Sequence, residues 1–390
     1  MSVSAEPVHG APNSLRQTLR ILHLHSGNMM GGIESALLTF AEFASGCPEL
    51  QQSIALAFKG IFADSIGCAG MKVHELPSVH LRNPVSVIRS RHALARLLDQ
   101  FPFDVIISHS AWCQTVYGPV LKRSRIPVVF WQHSTLDGHW LQRLASRHIP
   151  DFVICNSAHA RATLANVYPD VPSSVLFHPV KKVTPSGDPM QLRIELRTSR
   201  DDVVILMASR MERWKGHLNL IHAAAKLSAA SPWTIWVAGG PQTDAERKYF
   251  ELLENEVARL KLTDRFRFLG QRRDVQLLMH AADIFCQPNE APEPFGIVFV
   301  EALQAGLPVV TFAMGGPCEI LDGNCGVLVP PEDIDSLARS LSALIDSPEL
   351  RARFRSAGPE RAKSLCDPAH QVQSLYNLLF SLVQKRGPAA

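Results

Sequence analysis

The feature that most constrains this chain is a rhythm that runs, breaks and restarts. Short apolar runs at Ile21–His25, Ser53–Phe58, Val105–Ser108, Val128–Gln132, Phe152–Cys155 and Val175–Phe177 alternate with amphipathic stretches such as Ile33–Ala44, Val85–Leu98 and Ala158–Val167. Near-continuous apolar strands separated by helices imply a parallel sheet covered on both faces. Between His178 and Asp202 the rhythm stops, and Pro179, Pro185, Gly187 and Pro189 among charged residues read as a connection. It then restarts. Strands are expected at Val203–Ala208, Ile235–Ala238, Arg267–Leu269, Ile284–Gln287, Val309–Phe312 and Gly326–Val329. Helices are expected at His217–Ser228, Glu246–Leu260, Val275–Ala281, Ile297–Ala305 and Ile334–Ile345. The expectation is an α/β protein of two Rossmann-like, doubly wound domains facing a cleft, with ligands at the carboxyl ends of the strands. The first domain would span 1–182, a linker 183–201 and the second domain 202–368. A last helical stretch within 369–390 would cross back to the first domain.

Length and composition agree with two cores. The chain has 390 residues, of which 46% are hydrophobic and 19% charged, which argues against disorder. The net charge of +3 is too small to imply nucleic acid. The eight cysteines form no CxxC pair, which argues for reduced thiols and against zinc or a disulfide framework. Met1–Arg20 lacks the apolar core of a signal peptide, and no apolar run approaches the roughly 18 residues of a membrane span. A cytoplasmic protein, soluble or peripheral at the inner face of the membrane, is therefore expected. Charge is nevertheless uneven: Ser78–Arg147 carries nine basic and three acidic residues. Arg89, Arg91, Arg96, Lys122, Arg123 and Arg125 there make a candidate face for an anionic membrane or a lipid-linked acceptor.

The most specific chemical signal is Glu293-Pro-Phe-Gly-Ile-Val-Phe-Val-Glu301, two carboxylates eight positions apart. Pro294 and Gly296 suit the start of a helix, so Glu293 precedes it and Glu301 lies roughly 6 Å inside. The free amides of Gly296, Ile297 and Val298 would meet a phosphate. Glu301 would accept both hydroxyls of a ribose, and Glu293 a hydroxyl of a sugar. Ser209-Arg210-Met-Glu-Arg-Trp-Lys215-Gly216 follows a predicted strand, where Arg210 and Lys215 would hold a pyrophosphate and stabilise a departing nucleoside diphosphate. In His25-Ser-Gly-Asn-Met-Met-Gly31-Gly32, Gly31 and Gly32 would let the backbone approach a bound donor at a helix start, but the run is not GxGxxG, so a dinucleotide site is weak. His109 and His133 end predicted strands at the cleft, and Asp137 and His139 are further acceptor-side candidates. Gly315 and Gly316 follow another strand, where bare backbone would meet the donor. Asp333-Ile-Asp335 reads as a helix start rather than a metal-binding pair, so no metal is expected.

On these residues the chain resembles glycosyltransferase family 4, retaining enzymes of the GT-B fold. The match rests on Glu293 to Glu301, on Gly31-Gly32-Ile33-Glu34, on Ser209-Arg210 with Lys215-Gly216, and on Gly315-Gly316. The resemblance implies that Arg210 and Lys215 bind the donor pyrophosphate, Glu301 the ribose and Glu293 the transferred sugar. It also implies that His133 lies near the reaction centre and that Phe268-Leu269-Gly270 borders the nucleobase. His178-Pro-Val departs from the family's usual Asn-Gly or Asn-Pro-Val. The expected partners are a nucleotide-sugar donor, acting as substrate rather than cofactor, and a sugar or lipid-linked acceptor. The rival expectations are an epimerase or hydrolase on the same scaffold, or a silent partner subunit.

Overall fold

Apolar strands buried on both faces dictate the architecture. The computed structural model describes residues 17–27 and 31–386; Asn28–Met30 of the glycine turn and most of Met1–Arg20 lie outside the described residues. The first half runs β1 (Leu19–His25), α1 (Gly32–Glu42), β2 (Leu50–Leu56), α2 (Ile61–Cys68), β3 (Lys72–Glu75), α3 (Pro84–Gln100), β4 (Val105–Ser108), α4 (Ala111–Ser124), β5 (Val128–Gln132), α5 (Trp140–Ala145), β6 (Phe152–Cys155), α6 (Ala158–Ala162) and β7 (Ser173–Val175). Its sheet has the order β3-β2-β1-β4-β5-β6-β7, and all pairs are parallel.

The second half runs α7 (Pro189–Glu195), β8 (Val203–Ala208), α8 (His217–Ala224), β9 (Trp233–Ala238), α9 (Asp244–Arg259), β10 (Phe266–Gly270), α10 (Val275–Ala281), β11 (Ile284–Cys286), α11 (Ile297–Gln304), β12 (Val309–Phe312), α12 (Pro317–Ile320), β13 (Gly326–Val329), α13 (Ile334–Asp346) and α14 (Pro348–Cys366). Its sheet order is β10-β9-β8-β11-β12-β13, again all parallel. Strand order reverses at β8/β11, which opens a crevice for ligand beyond their carboxyl ends. Every residue of β8 and β9 is buried, as the unbroken apolar runs require.

The connection between the halves is partly folded. Asp188 caps α7, with Pro189 at its first position. Buried Arg193 ties this helix to the second sheet through the Ala281 carbonyl at 2.8 Å and Asp283 at 2.5 Å. The last helix, α15 (Pro368–Arg386), packs Val372, Leu375 and Leu379 into the first core beside Ile21, Val105 and Trp131. Val175–Phe177 does not form a strand as a unit. Pairing shifts to Ser173–Val175, because Phe177 instead stacks on Phe295 of the second half, 5.6 Å between centroids.

Candidate active site in the interdomain cleft

The crevice at the β8/β11 crossover is a cavity of about 450 Å³. It is lined by Ser209 and Arg210 after β8, Gly239 and Gly240 after β9, Gln271–Arg273 after β10, and Val298 and Glu301 of α11. Glu301 projects from the second turn of α11, and among the described residues its carboxylate has no hydrogen-bond partner. Desolvation pushes its carboxyl up to about 7. Arg210 is more than half exposed and pairs with Glu212 at 3.0 Å. Lys215 and Glu293, which the sequence assigned to different parts of one ligand, are placed on each other. Lys215 Nζ lies 2.6 Å from Glu293 Oε2, with the two side chains only 12% and 15% exposed. Lys215 Nζ also sits 3.8 Å from the Trp214 ring centroid, and Asn289 Nδ2 donates to Glu293 Oε2 at 3.2 Å. Each charge therefore has an opposite partner in a nearly dry setting, where an unpaired one would be costly.

Backbone geometry aims these groups. Gly296 takes φ 97° as the residue before α11, a conformation that side-chain-bearing residues avoid. The chain can therefore turn from Glu293 into a helix whose first amides, at Ile297 and Val298, lack intrahelical partners. Gly315 and Gly316 pack on the chain itself. Gly316 N–H donates to the Glu293 carbonyl at 2.8 Å, and a Cβ on either glycine would strike the backbone of Glu293 or Phe295. The close approach read from sequence as meeting the donor thus fixes the loop that carries Glu293. Gly270 ends β10, where its carbonyl accepts from Gly239 N–H at 2.8 Å.

A second cavity, of about 210 Å³, lies between the halves. It is lined by Gly32, Ile33, His133, Asn156, His178 and the segment Glu293–Ile297. Gly32 opens α1, and a Cβ there would stand 3.4 Å from Ile297 Cδ1, so the glycine turn faces the start of α11. Gly31 precedes it in extended backbone and is exposed. Buried His25 Nε2 meets Glu34 Oε1 at 2.7 Å. Burial raises the Glu34 carboxyl, but this bond, the charge of His25 and backbone hydrogen bonds outweigh burial and hold it below its ordinary value. His133 reaches the cavity, whereas His109 lies behind it, buried and bonded to His133 at 2.9 Å. Asp137 and His139 line neither cavity. Asp137 accepts from His139 N–H at 3.1 Å, and His139 caps α5 through Leu141 N–H at 3.3 Å, so in this structure both serve a turn and a helix start.

Two participants escape a linear reading. Glu319, just after the paired glycines, accepts from the Ala158 and His159 amides at the start of α6, at 2.8 Å each, and so clips one half to the other. His178 stands at the mouth of the connection with its ring against His133 and Phe295. Glu319 has no sequence signal, because its partners lie 160 positions away. His178 was visible in sequence only as a departure from the family's usual Asn-Gly or Asn-Pro-Val.

Known proteins match this architecture. A model for glycosyl transferases group 1 matches residues 191–361, and one for glycosyltransferase family 4 matches residues 53–180. The D-inositol 3-phosphate glycosyltransferase of Corynebacterium efficiens is 33% identical over 193 residues, 47% of this chain and 45% of that protein. The chain thus matches about half the length of that relative. The protein of the same name from Salinispora tropica is 27% identical over 400 residues, 93% of this chain and 81% of its own. Among solved structures, HepE from Anabaena in complex with UDP and glucose superposes with a TM-score of 0.79 at 26% identity, covering 93% of this chain and all of that one. With two facing doubly wound sheets and two family models that together match more than half its length, the chain belongs to glycosyltransferase family 4 and has the GT-B fold.

Proposed function

We propose that this protein transfers a sugar from a nucleotide diphosphate to an acceptor hydroxyl with retention at the anomeric carbon, in the synthesis of an exopolysaccharide, lipopolysaccharide or other glycoconjugate. The observation that carries the proposal is the order of groups along the cleft. Glu301, without a hydrogen-bond partner among the described residues, lines the larger cavity together with Arg210 and Val298, and Ile297 and Glu293, the partner of Lys215, line the smaller one. That order matches ribose, pyrophosphate and sugar. The UDP held by HepE supports a nucleoside diphosphate as the leaving group.

In the reaction the anomeric carbon–oxygen bond to phosphate breaks and a bond to the acceptor oxygen forms on the same face. The hydroxyl proton passes to a phosphate oxygen of the departing nucleoside diphosphate. Arg210, Lys215 and the helix amides stabilise the charge that grows on that phosphate more than they stabilise the ground state. Donor entry shares Lys215 between the pyrophosphate and Glu293, which leaves Glu293 to orient a sugar hydroxyl. In this reading no metal is needed.

The test is turnover in excess EDTA. Wild type is expected to stay active, and Arg210→Ala and Lys215→Ala each to lose about 10²-fold in kcat/KM. Near-normal turnover in either variant, or activity that EDTA abolishes and Mn²⁺ restores, contradicts the proposal. An epimerase or hydrolase would consume the donor equally well without an acceptor.

The proposal extends to where the enzyme works, at the cytoplasmic membrane face. No helix among the described residues is long and apolar enough to cross a membrane. Leu81 just before α3, and Val85 and Ile88 in its first turns, are 43%, 64% and 51% exposed beside exposed Arg82 and Arg89. Apolar and basic side chains together suit an anionic lipid surface. Arg91 leaves the basic face drawn from the sequence, because its guanidinium is tied to the Val116 and Thr115 carbonyls at 2.5 and 3.4 Å.

A further inference from the structure

Four histidines contributed by β1, the ends of β4 and β5, and the start of the connection form one unbranched hydrogen-bonded line. Gln52 Oε1 meets His23 Nε2 at 3.1 Å, and His23 Nδ1 meets His109 Nε2 at 2.8 Å. His109 Nδ1 meets His133 Nε2 at 2.9 Å, and His133 Nδ1 meets His178 Nε2 at 3.0 Å. Among the described residues no group of histidine, cysteine or acidic side chains converges to hold a metal ion, so the line is not a ligand set.

A neutral imidazole has one N–H and one lone pair, so a line of neutral rings points one way throughout. Burial keeps these rings neutral. It lowers His23 and His178 to about 4, and it holds His109 and His133 well below 6.5, with neighbouring histidine charges adding to the effect. The direction is set at Gln52, whose side-chain nitrogen donates to the Phe40 carbonyl at 3.3 Å. That leaves its oxygen, an acceptor only, toward His23. His23 must donate from Nε2 and accept at Nδ1, and the same follows for His109, His133 and His178 in turn. Both nitrogens of His133 are therefore occupied. The line ends at His178 Nδ1, a lone pair with no partner among the described residues, on a ring that is 3% exposed and lines the cavity with Glu293 and Ile297.

We propose that His178 Nδ1 accepts a hydrogen bond from a hydroxyl of the transferred sugar or of the acceptor, in a tautomer imposed from Gln52 through three intervening rings. His133 is then a positioning residue. The proposal rests on the transferase reading for the identity of the hydroxyl, but not for the tautomers.

The experiment is a long-range ¹⁵N–¹H correlation spectrum of histidine-labelled protein at neutral pH, with no ligand. His23, His109, His133 and His178 are all expected as Nε2–H tautomers, and an Nδ1–H signal at His178 would overturn the proposal. Gln52→Leu removes the anchor. His178 should then show mixed tautomers and kcat/KM should fall about tenfold, the scale of one hydrogen bond. An unchanged spectrum and unchanged kcat/KM in that variant would also overturn it. His178→Asn is expected to raise KM about tenfold for whichever substrate supplies the hydroxyl, donor sugar or acceptor, while UDP binds with unchanged Kd. Unchanged KM for both substrates counts against His178. Failure of the transferase reading shows separately, as a wild type that binds no nucleoside diphosphate.

Discussion

Glu301 is the residue through which nucleotide binding would depend on pH in the proposed reading. Desolvation raises its carboxyl to about 7, and no hydrogen bond from the described residues offsets it. A ribose diol would supply two donors and favour the charged form, so binding should release a proton below pH 7. Nucleoside diphosphate affinity should therefore rise about tenfold between pH 6 and pH 8 through this group. Titration calorimetry of wild type and Glu301→Gln isolates that part, since the ligand's own phosphate titrates in both. An identical pH dependence in the two proteins would remove Glu301 from the ribose. Both acids of the motif were legible in sequence, because a carboxylate either side of a helix start has a fixed separation along the chain. That Lys215 neutralises Glu293 was not legible, because the two meet through space across 78 positions.

At the scale of elements, what was legible tracks burial. Strands with unbroken apolar runs, such as Val105–Ser108 and Val203–Ala208, appear with the bounds their patterns suggest. β3 went unseen, since an edge strand reading Lys-Val-His-Glu has no apolar run to find. α4 carries Pro119 inside it and was hidden for the opposite reason, since a residue that usually ends helices sits in its middle. α3 was foreseen as a helix, yet only the structure shows Val85 and Ile88 at its start, with Leu81 just before it, exposed. This element should bind vesicles of anionic phospholipid in sedimentation assays, more weakly as salt rises. Arg89→Glu with Arg96→Glu should lower the pelleted fraction severalfold. Equal pelleting with neutral and anionic vesicles, or none with either, would show that the basic face is merely solvated.

For the whole molecule, specific contacts join the two halves. Glu319 clips the start of α6, α15 returns from the second half to complete the first core, and Phe177 stacks on Phe295. In the proposed reading the donor groups belong to the second half, and the histidine line ends at the boundary, so one cleft would bring donor and acceptor chemistry together. The most direct test of that assignment is calorimetry of UDP, GDP and ADP against wild type, Glu293→Gln and Glu301→Gln. At least one nucleotide is expected to bind wild type, with affinity about tenfold lower in Glu301→Gln, from which the ribose partner is gone, and little changed in Glu293→Gln, since the bare nucleotide carries no sugar. Binding of none of the three to wild type, or a loss confined to Glu293→Gln, would contradict the placement of the donor along α11.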